Sequence, residues 1–305
     1  MAGDSEREGQ WWQRFALAVA VIPAMAWGGN FVVAKIGFEF FGGITLTAVR
    51  FLFIGLAVLW LGWPKLPFGQ VALYALLSGV GQYTLSTLAM KVGLSAGLAS
   101  LVMQTQVFFS AILAFLVLRD VPRFATVAGL ALGFGGLMVL TFSRDQAYTP
   151  AGLALIVVAA ASWACANLQL KLTKVDDVVS LQVAAYLLAF PVVACLGFAF
   201  DPVPVNLPAI AADLPTALFV VVYMTAISLF MAQAMWGWLL GRFSMTQVTP
   251  FSLLVPVFGI TLAYLVLGET LNGMSWLASA MVFAGLLIHI AGMARGAFSA
   301  RTAKA

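Results

Sequence analysis

Charge is what this chain has least of. Only 9% of its 305 residues are Asp, Glu, Lys or Arg, against a hydrophobic share of 63% and a mean hydropathy of +1.04. A soluble domain carries about 25% charged residues, because its water-facing surface needs them. A chain this poor in charge cannot cover its own surface with polar groups, which excludes a water-soluble globular protein and points to a bilayer as solvent. Histidine is nearly absent too: His289 stands alone, near the end of the last apolar stretch. Cysteine stops at Cys165 and Cys195, both inside apolar stretches, where a thiol packs as a small hydrophobe. No nucleophile–base pair, cluster of metal ligands or phosphate-binding glycine loop can be assembled from what remains. The expectation is therefore not an enzyme, with no metal and no cofactor. Acid is missing from the interior of the apolar stretches as well. The eleven Asp and Glu residues fall at stretch ends, in connecting segments or in the N-terminal tail.

What the chain does have is long apolar runs. A spanning helix needs roughly 20 mostly apolar residues, and ten such runs follow one another: approximately 15–36, 43–63, 69–90, 95–118, 123–142, 150–172, 179–200, 214–236, 245–267 and 273–294. The separators carry turn punctuation, as in "GWPKLP", "SRDQAYTP" and "DPVPVNLPAIAADLP". The runs are continuous and not alternating, which excludes a β-barrel. The first is not expected to be a cleaved signal peptide, since it lacks a small-residue cleavage site and nine more spans follow. The fold expected is an all-α integral membrane protein with ten transmembrane helices. Lys and Arg then fix its orientation. With the N-terminus inside, eleven lie on the inner side (Arg7, Arg14, Lys65, Arg119, Arg123, Lys171, Lys174, Arg242, Arg295, Arg301 and Lys304) and three on the outer side (Lys35, Lys91 and Arg144). Both termini are expected in the cytoplasm, residues 1–14 and 295–305 being tails. The net charge of +4 reflects that topology and not a nucleic-acid surface.

The chain also repeats itself. "AWGGNFVVAK" (Ala26 to Lys35) matches "SWACANLQLK" (Ser162 to Lys171) at an offset of 136, and "AFLVLRD" (Ala114 to Asp120) matches "AYLVLGE" (Ala263 to Glu269) at 149. The expected division is 15–145 and 146–294, five spans each. Because five is odd, the second copy enters the membrane from the opposite side, and the halves are inverted. Inverted repeats are a common device of secondary transporters, exposing one central site to each side in turn. A proton-driven carrier usually keeps a carboxylate or His on its pathway, and none is evident here.

Polar side chains within the spans mark where such a site lies, since in lipid each must find a partner or water. They include Asn30, Arg50, Gln82, Tyr83, Gln104, Gln106, Asn167, Gln169, Gln182, Tyr186, Gln233 and Ser252, accompanied by Trp163, Trp236 and Trp238. The plainer role for any one of them is to tie helices together, at about 1 kcal/mol each. On an unbroken helix Gln104 and Gln106 point roughly 200° apart, so one would line a cavity and the other join helices. Pro250 and Pro256 would free backbone carbonyls in a helix lining a cavity or gate. Arg50 has three possible fates: snorkelling, pairing with a loop carboxylate such as Glu39, or holding a substrate carboxylate. Trp11, Trp12 and Trp63 suit interfacial anchors. Gly129, Gly133 and Gly136, with Ala280 and Ala284, permit close helix packing, within the chain or in a dimer.

"WGGNFVVAKIGFEFFGGITLTAVRF", "GLSAGLASLVMQTQVFFSAILAFLVLRD", "SWACANLQLK" and "GRFSMTQVTPFSLLVPVFGI" resemble the EamA domains of the drug/metabolite transporter superfamily. Among these the chain is most similar to amino-acid-metabolite exporters, including those for cysteine and O-acetylserine. Asp120 stands where the family usually has Glu. The resemblance implies two EamA repeats of five spans and export of amino acids or related metabolites across a bacterial inner membrane. The partners expected are a small-molecule substrate and the lipid bilayer, with no nucleic acid, and the chain as a monomer or homodimer. The residues expected at the substrate are Asn30, Gln82, Tyr83, Gln104, Gln106, Trp163 and Asn167. Alternatives stay open: export of other metabolites or drugs, or a membrane subunit that transports nothing.

Overall fold

A backbone in lipid must satisfy its own hydrogen bonds, and in the computed structural model the apolar runs do so as helices. The structure describes residues 19–119, 124–142, 148–173, 177–242 and 249–302. Among them the ten helical runs are α1 (Val21–Gly37), α2 (Gly43–Leu61), α3 (68–91), α4 (Ala96–Leu118), α5 (Phe124–Phe142), α6 (Pro150–Thr173), α7 (Val178–Phe200), α8 (214–242), α9 (249–267) and α10 (Gly273–Thr302). A short helix, Leu207–Ala212, leads into α8. The described residues hold no strand, only an isolated bridge between Phe41 and Val205.

By length and composition five helices are able to cross a membrane: α2, α4, α6, α7 and the Leu214–Trp236 part of α8. Shorter apolar helices lie in α1, α5, α9 and α10. The polar residues of α3, among them Gln70, Ser78, Gln82 and Thr84, keep it out of both groups. Apolar side chains cover the outside as well as the core. Trp60 is 82% exposed and Phe124 87%, a surface suited to lipid and not to water. Trp63 is exposed and stacks on Phe68; Trp11 and Trp12 lie outside the described residues.

Helix pairing follows a pattern that does not change when the first five helices are exchanged for the last five. α2 packs on α7 and α5 on α10; α1 packs on α9 as α4 packs on α6; α4 and α9 pack on each other. The glycines read as packing sites serve contacts within the chain. A Cβ on Gly285 would stand 2.6 Å from the Gly129 carbonyl, and one on Gly136 would stand 2.8 Å from that of Ala278. The matched passages "AFLVLR" and "AYLVLG" also end alike. Arg119 (φ 58°) and Gly268 (φ 66°) both turn left-handed; the Ala114 carbonyl is capped at the first end, and at the second the Gly268 N–H returns to the Tyr264 carbonyl and the Glu269 N–H to that of Ala263, as a helix stop of this type requires.

One expectation is corrected. α4 is not one unbroken helix: Ala96–Met103 and Gln106–Leu118 are separated by a turn at Gln104 and Thr105. Tight bonds one residue short of α-helical spacing close that turn, and Thr105 Oγ1 competes for the Val102 carbonyl at 2.7 Å. The angle between Gln104 and Gln106 on an ideal helix therefore does not apply. The two prolines lie near the start of α9. Pro250 falls in a 3₁₀ turn (Thr249–Leu253) and Pro256 in the first turn of Leu254–Leu267, where a missing N–H costs little.

Candidate functional site

Arg50 sits two residues from the midpoint of α2, roughly 3 Å along the axis, and is only 2% exposed. Its guanidinium carbon lies 4.7 Å from the centre of the Tyr83 ring, a cation–π contact. Nη2 donates to the Met224 carbonyl at 3.3 Å. Nε is buried with no hydrogen-bond partner, and among the described residues no carboxylate pairs with Arg50. Arg50 thus neither snorkels nor meets Glu39, whose carbonyl instead accepts from Asn206.

Tyr83 and Met224 both belong to π-helical turns, Ala75–Thr84 in α3 and Tyr223–Met231 in α8. Such turns are rare and recur at functional sites. These two begin 148 residues apart (223 minus 75), close to the 149-residue offset of the later sequence repeat.

An aromatic wall stands beside the arginine. Phe51 and Tyr186 stack at 4.8 Å and 7°, and Tyr83 meets both edge-on, at 6.0 and 5.7 Å. Behind it Ser78 donates to Gln82 Oε1 at 3.1 Å and lies 3.4 Å from the Tyr186 hydroxyl. One turn along α7, Gln182 donates to the Tyr74 hydroxyl at 3.4 Å. Ile54, Gln182, Tyr186, Leu229, Phe230 and Gln233 line a narrow recess with about 10 Å³ of room for water centres, roughly what one water needs.

A second polar group lies where α4 meets α6. Gln106 Oε1 accepts from Asn167 Nδ2 at 3.2 Å and from Ser110 at 3.3 Å. Trp163 lies one turn before Asn167, half-buried against the apolar core. Its neighbour Ser162 donates to the Leu77 carbonyl in the α3 π turn at 2.8 Å, so α6 borders both groups.

Of the residues expected at the substrate, Gln82 and Tyr83 thus join Arg50, while Gln106 and Asn167 join each other, with Trp163 a turn away. Gln104 is buried in the α4 turn. Asn30 is half-buried on α1 with Oδ1 unpartnered. Phe51 carried no sequence signal, being one more apolar residue on an apolar helix. Tyr186 did, as a polar group in an apolar run. Trp27 was visible only through the repeat; its Nε1 donates to the Ser228 carbonyl of the α8 π turn at 3.0 Å.

The profile of the EamA-like transporter family matches the chain twice, over residues 14–142 and 150–291. Arg50, Phe51, Ser78, Gln82 and Tyr83 fall in the first stretch and Tyr186 and Met224 in the second, so both stretches build the arginine cluster. A probable amino-acid metabolite efflux pump of Salmonella typhimurium is 34% identical over 284 residues, covering 90% of this chain and 94% of that protein. A protein of the same description from Escherichia coli K12 is 30% identical over 282 residues, with the same coverage of 90% and 94%. A crystal structure covering 92% of this chain and 98% of its own superposes with a TM-score of 0.61; at 18% identity this likeness shows the fold alone. With both matches together spanning nearly its whole length, the chain belongs to the EamA-like transporter family.

Proposed function

We propose that this protein is an inner-membrane secondary carrier that exports small zwitterionic metabolites, foremost amino acids of several kinds, by alternating access. The observation that carries the proposal is the polar and aromatic cluster at the middle of α2, buried within an apolar bundle and contributed by both matched stretches. A carrier site belongs there, near the midplane and between repeats. The relatives described as amino-acid metabolite efflux pumps support the substrate class. Ten crossings in two inverted halves, divided at 15–145 and 146–294, are supported by the pairing pattern, which survives exchange of the halves. The bias of Lys and Arg supports cytoplasmic termini. Nucleotides or sugar phosphates would want several buried cations, and Arg50 is the one found in the cluster.

The deciding experiment is counterflow in proteoliposomes preloaded with a panel of unlabelled amino acids, with and without a pH gradient. Several neutral amino acids are expected to drive exchange, with no dependence on the gradient, because no carboxylate among the described residues lies in the cluster to relay protons. Exchange with none of them would overturn the assignment. Gln106→Ala and Asn167→Ala are each expected to slow exchange about tenfold, which corresponds to about 1.4 kcal/mol. Wild-type rates in both would remove the α4–α6 group from the site.

A further inference from the structure

We propose that Arg50 is the anchor for the carboxylate of the transported molecule, so that the carrier accepts amino acids and refuses their amides and decarboxylated amines. This rests on the carrier assignment above and narrows it.

A buried charge in mid-membrane is costly unless it is paired and hydrogen-bonded. Among the described residues no side chain of opposite charge pairs with it. All five acidic side chains among the described residues lie outside the cluster, at helix ends or in connecting segments. A guanidinium cannot escape the cost by losing its proton, and it carries five N–H donors in a rigid fork. Of these, Nη2 uses one on the Met224 carbonyl at 3.3 Å, a long bond, while Nε has no partner at all. What remains is an edge of the fork with unused donors, and two parallel N–H groups on such an edge match the two oxygens of a carboxylate.

The surroundings hold the fork in one plane and leave that edge for a ligand. Tyr83 covers one face of the guanidinium, and the Phe51–Tyr186 stack stands beside Tyr83. A ring face of this wall would receive an α-ammonium. Ile54 lies one turn from Arg50 on the same face of α2 and lines the recess with Gln182, Tyr186 and Gln233. By that recess a ligand would come within a turn of the arginine, and its present size would require α2 and α7 to part from α8 before one enters. Such parting is the motion that alternating access needs.

The test uses whichever neutral amino acid exchanges fastest in counterflow, with its primary amide and its decarboxylated amine as competitors. Wild type is expected to prefer the acid over both by at least tenfold. Arg50→Gln is expected to raise KM for the acid roughly 10- to 100-fold, the loss of a charge-assisted pair, and to abolish the preference. Arg50→Lys should keep part of it. A merely structural arginine would lower the rate for all three compounds together and leave their ratio intact. If Arg50→Gln does not yield monodisperse protein, Arg50→Met, which leaves no polar group to satisfy, takes its place. Thermal stabilisation of purified wild type by the acid but not the amide supplies a readout that needs no variant. Equal transport of acid and amide by wild type, or an undiminished preference in the Arg50 variants, overturns the anchor while leaving the carrier standing. Absence of any amino-acid exchange in wild type overturns the carrier and the anchor with it.

Discussion

Five acidic residues fall in the described parts of the chain, and four of them accept hydrogen bonds from backbone N–H groups that open a helix. Asp177 takes Ser180, Asp213 takes Thr216, Asp201 takes Thr45, and Glu269 takes Ala96 and Gly97. The first turn of a helix has unsatisfied donors and a partial positive charge, so these carboxylates are placed by the helices and not by a substrate. Asp177 allows a measurement. The Ser180 hydroxyl and N–H, at 2.6 and 3.0 Å, hold its carboxyl below the usual carboxylate range. Because the folded state favours the charged form, its contribution is complete above the ordinary carboxylate pKa, near 4. It is lost as pH falls through the lowered value. Asp177→Ala is expected to destabilise the protein by about 1 kcal/mol at pH 7, and the gap to wild type should narrow below about pH 4. Thermal unfolding in detergent at pH 7 and pH 3 checks this; a gap that does not change with pH would mean the charge plays no part.

At the level of the helix, close approach is bought with glycine. Gly129 and Gly285 bring the backbones of α5 and α10 together, so that a Cβ on Gly285 meets main-chain atoms of Gly129 and Gly133 at 2.6 and 2.9 Å. Main chain cannot swing aside as a side-chain tip does. Gly285→Ala is expected to lower stability by about 1–3 kcal/mol. Gly135→Ala, whose Cβ would meet only the Met281 methyl at 3.3 Å, should be neutral or slightly stabilising, since alanine favours helix. Equal melting temperatures for the two variants would disprove the crossing. These contacts also show how far the sequence could be read. Gly129, Gly133 and Gly136 announced a packing face, yet only the fold reveals that its partner is α10 and not a second copy. Helix ends were legible where turn punctuation stopped an apolar run, as at "GWPKLP" after α2. The break in α4 was not, because Gln-Thr-Gln within leucine and phenylalanine carries no helical period. The π turns were equally silent, since a change of hydrogen-bond spacing leaves no mark on composition. Arg50 was legible as an isolated charge; its unpaired Nε depends on where α3, α7 and α8 converge, which no local pattern encodes.

Across the whole molecule the two matched stretches are joined most visibly at one end. There Gly42 N–H donates to the Pro204 carbonyl at 3.0 Å, and Asn206 N–H to that of Phe40 at 2.9 Å. Asp201 Oδ2 accepts from both the N–H and the hydroxyl of Thr45 at 2.8 Å. Glu269 reaches Ala96 and Gly97 at 2.9 and 3.1 Å. In the proposed orientation this is the outer end, and in the proposed cycle its closure would correspond to an outward-closed state. A carrier that alternates must break these bonds to release its substrate outside, so they set how often the outer end opens. Asp201 holds two of them with one buried oxygen, and a hydrogen bond to a charged group contributes about 1.5–3 kcal/mol. Asp201→Ala is therefore expected to shift the equilibrium toward the outward-open state by at least about tenfold. The measurement is labelling of a cysteine placed at Phe41, in a background without Cys165 and Cys195, by a membrane-impermeant maleimide added outside spheroplasts. Labelling should quicken in the Asp201→Ala background and return to its slow rate when Asp201 is restored. An unchanged rate in Asp201→Ala would mean that Asp201 caps α2 without guarding the outer end, and the gate would then have to lie elsewhere among the contacts between the halves.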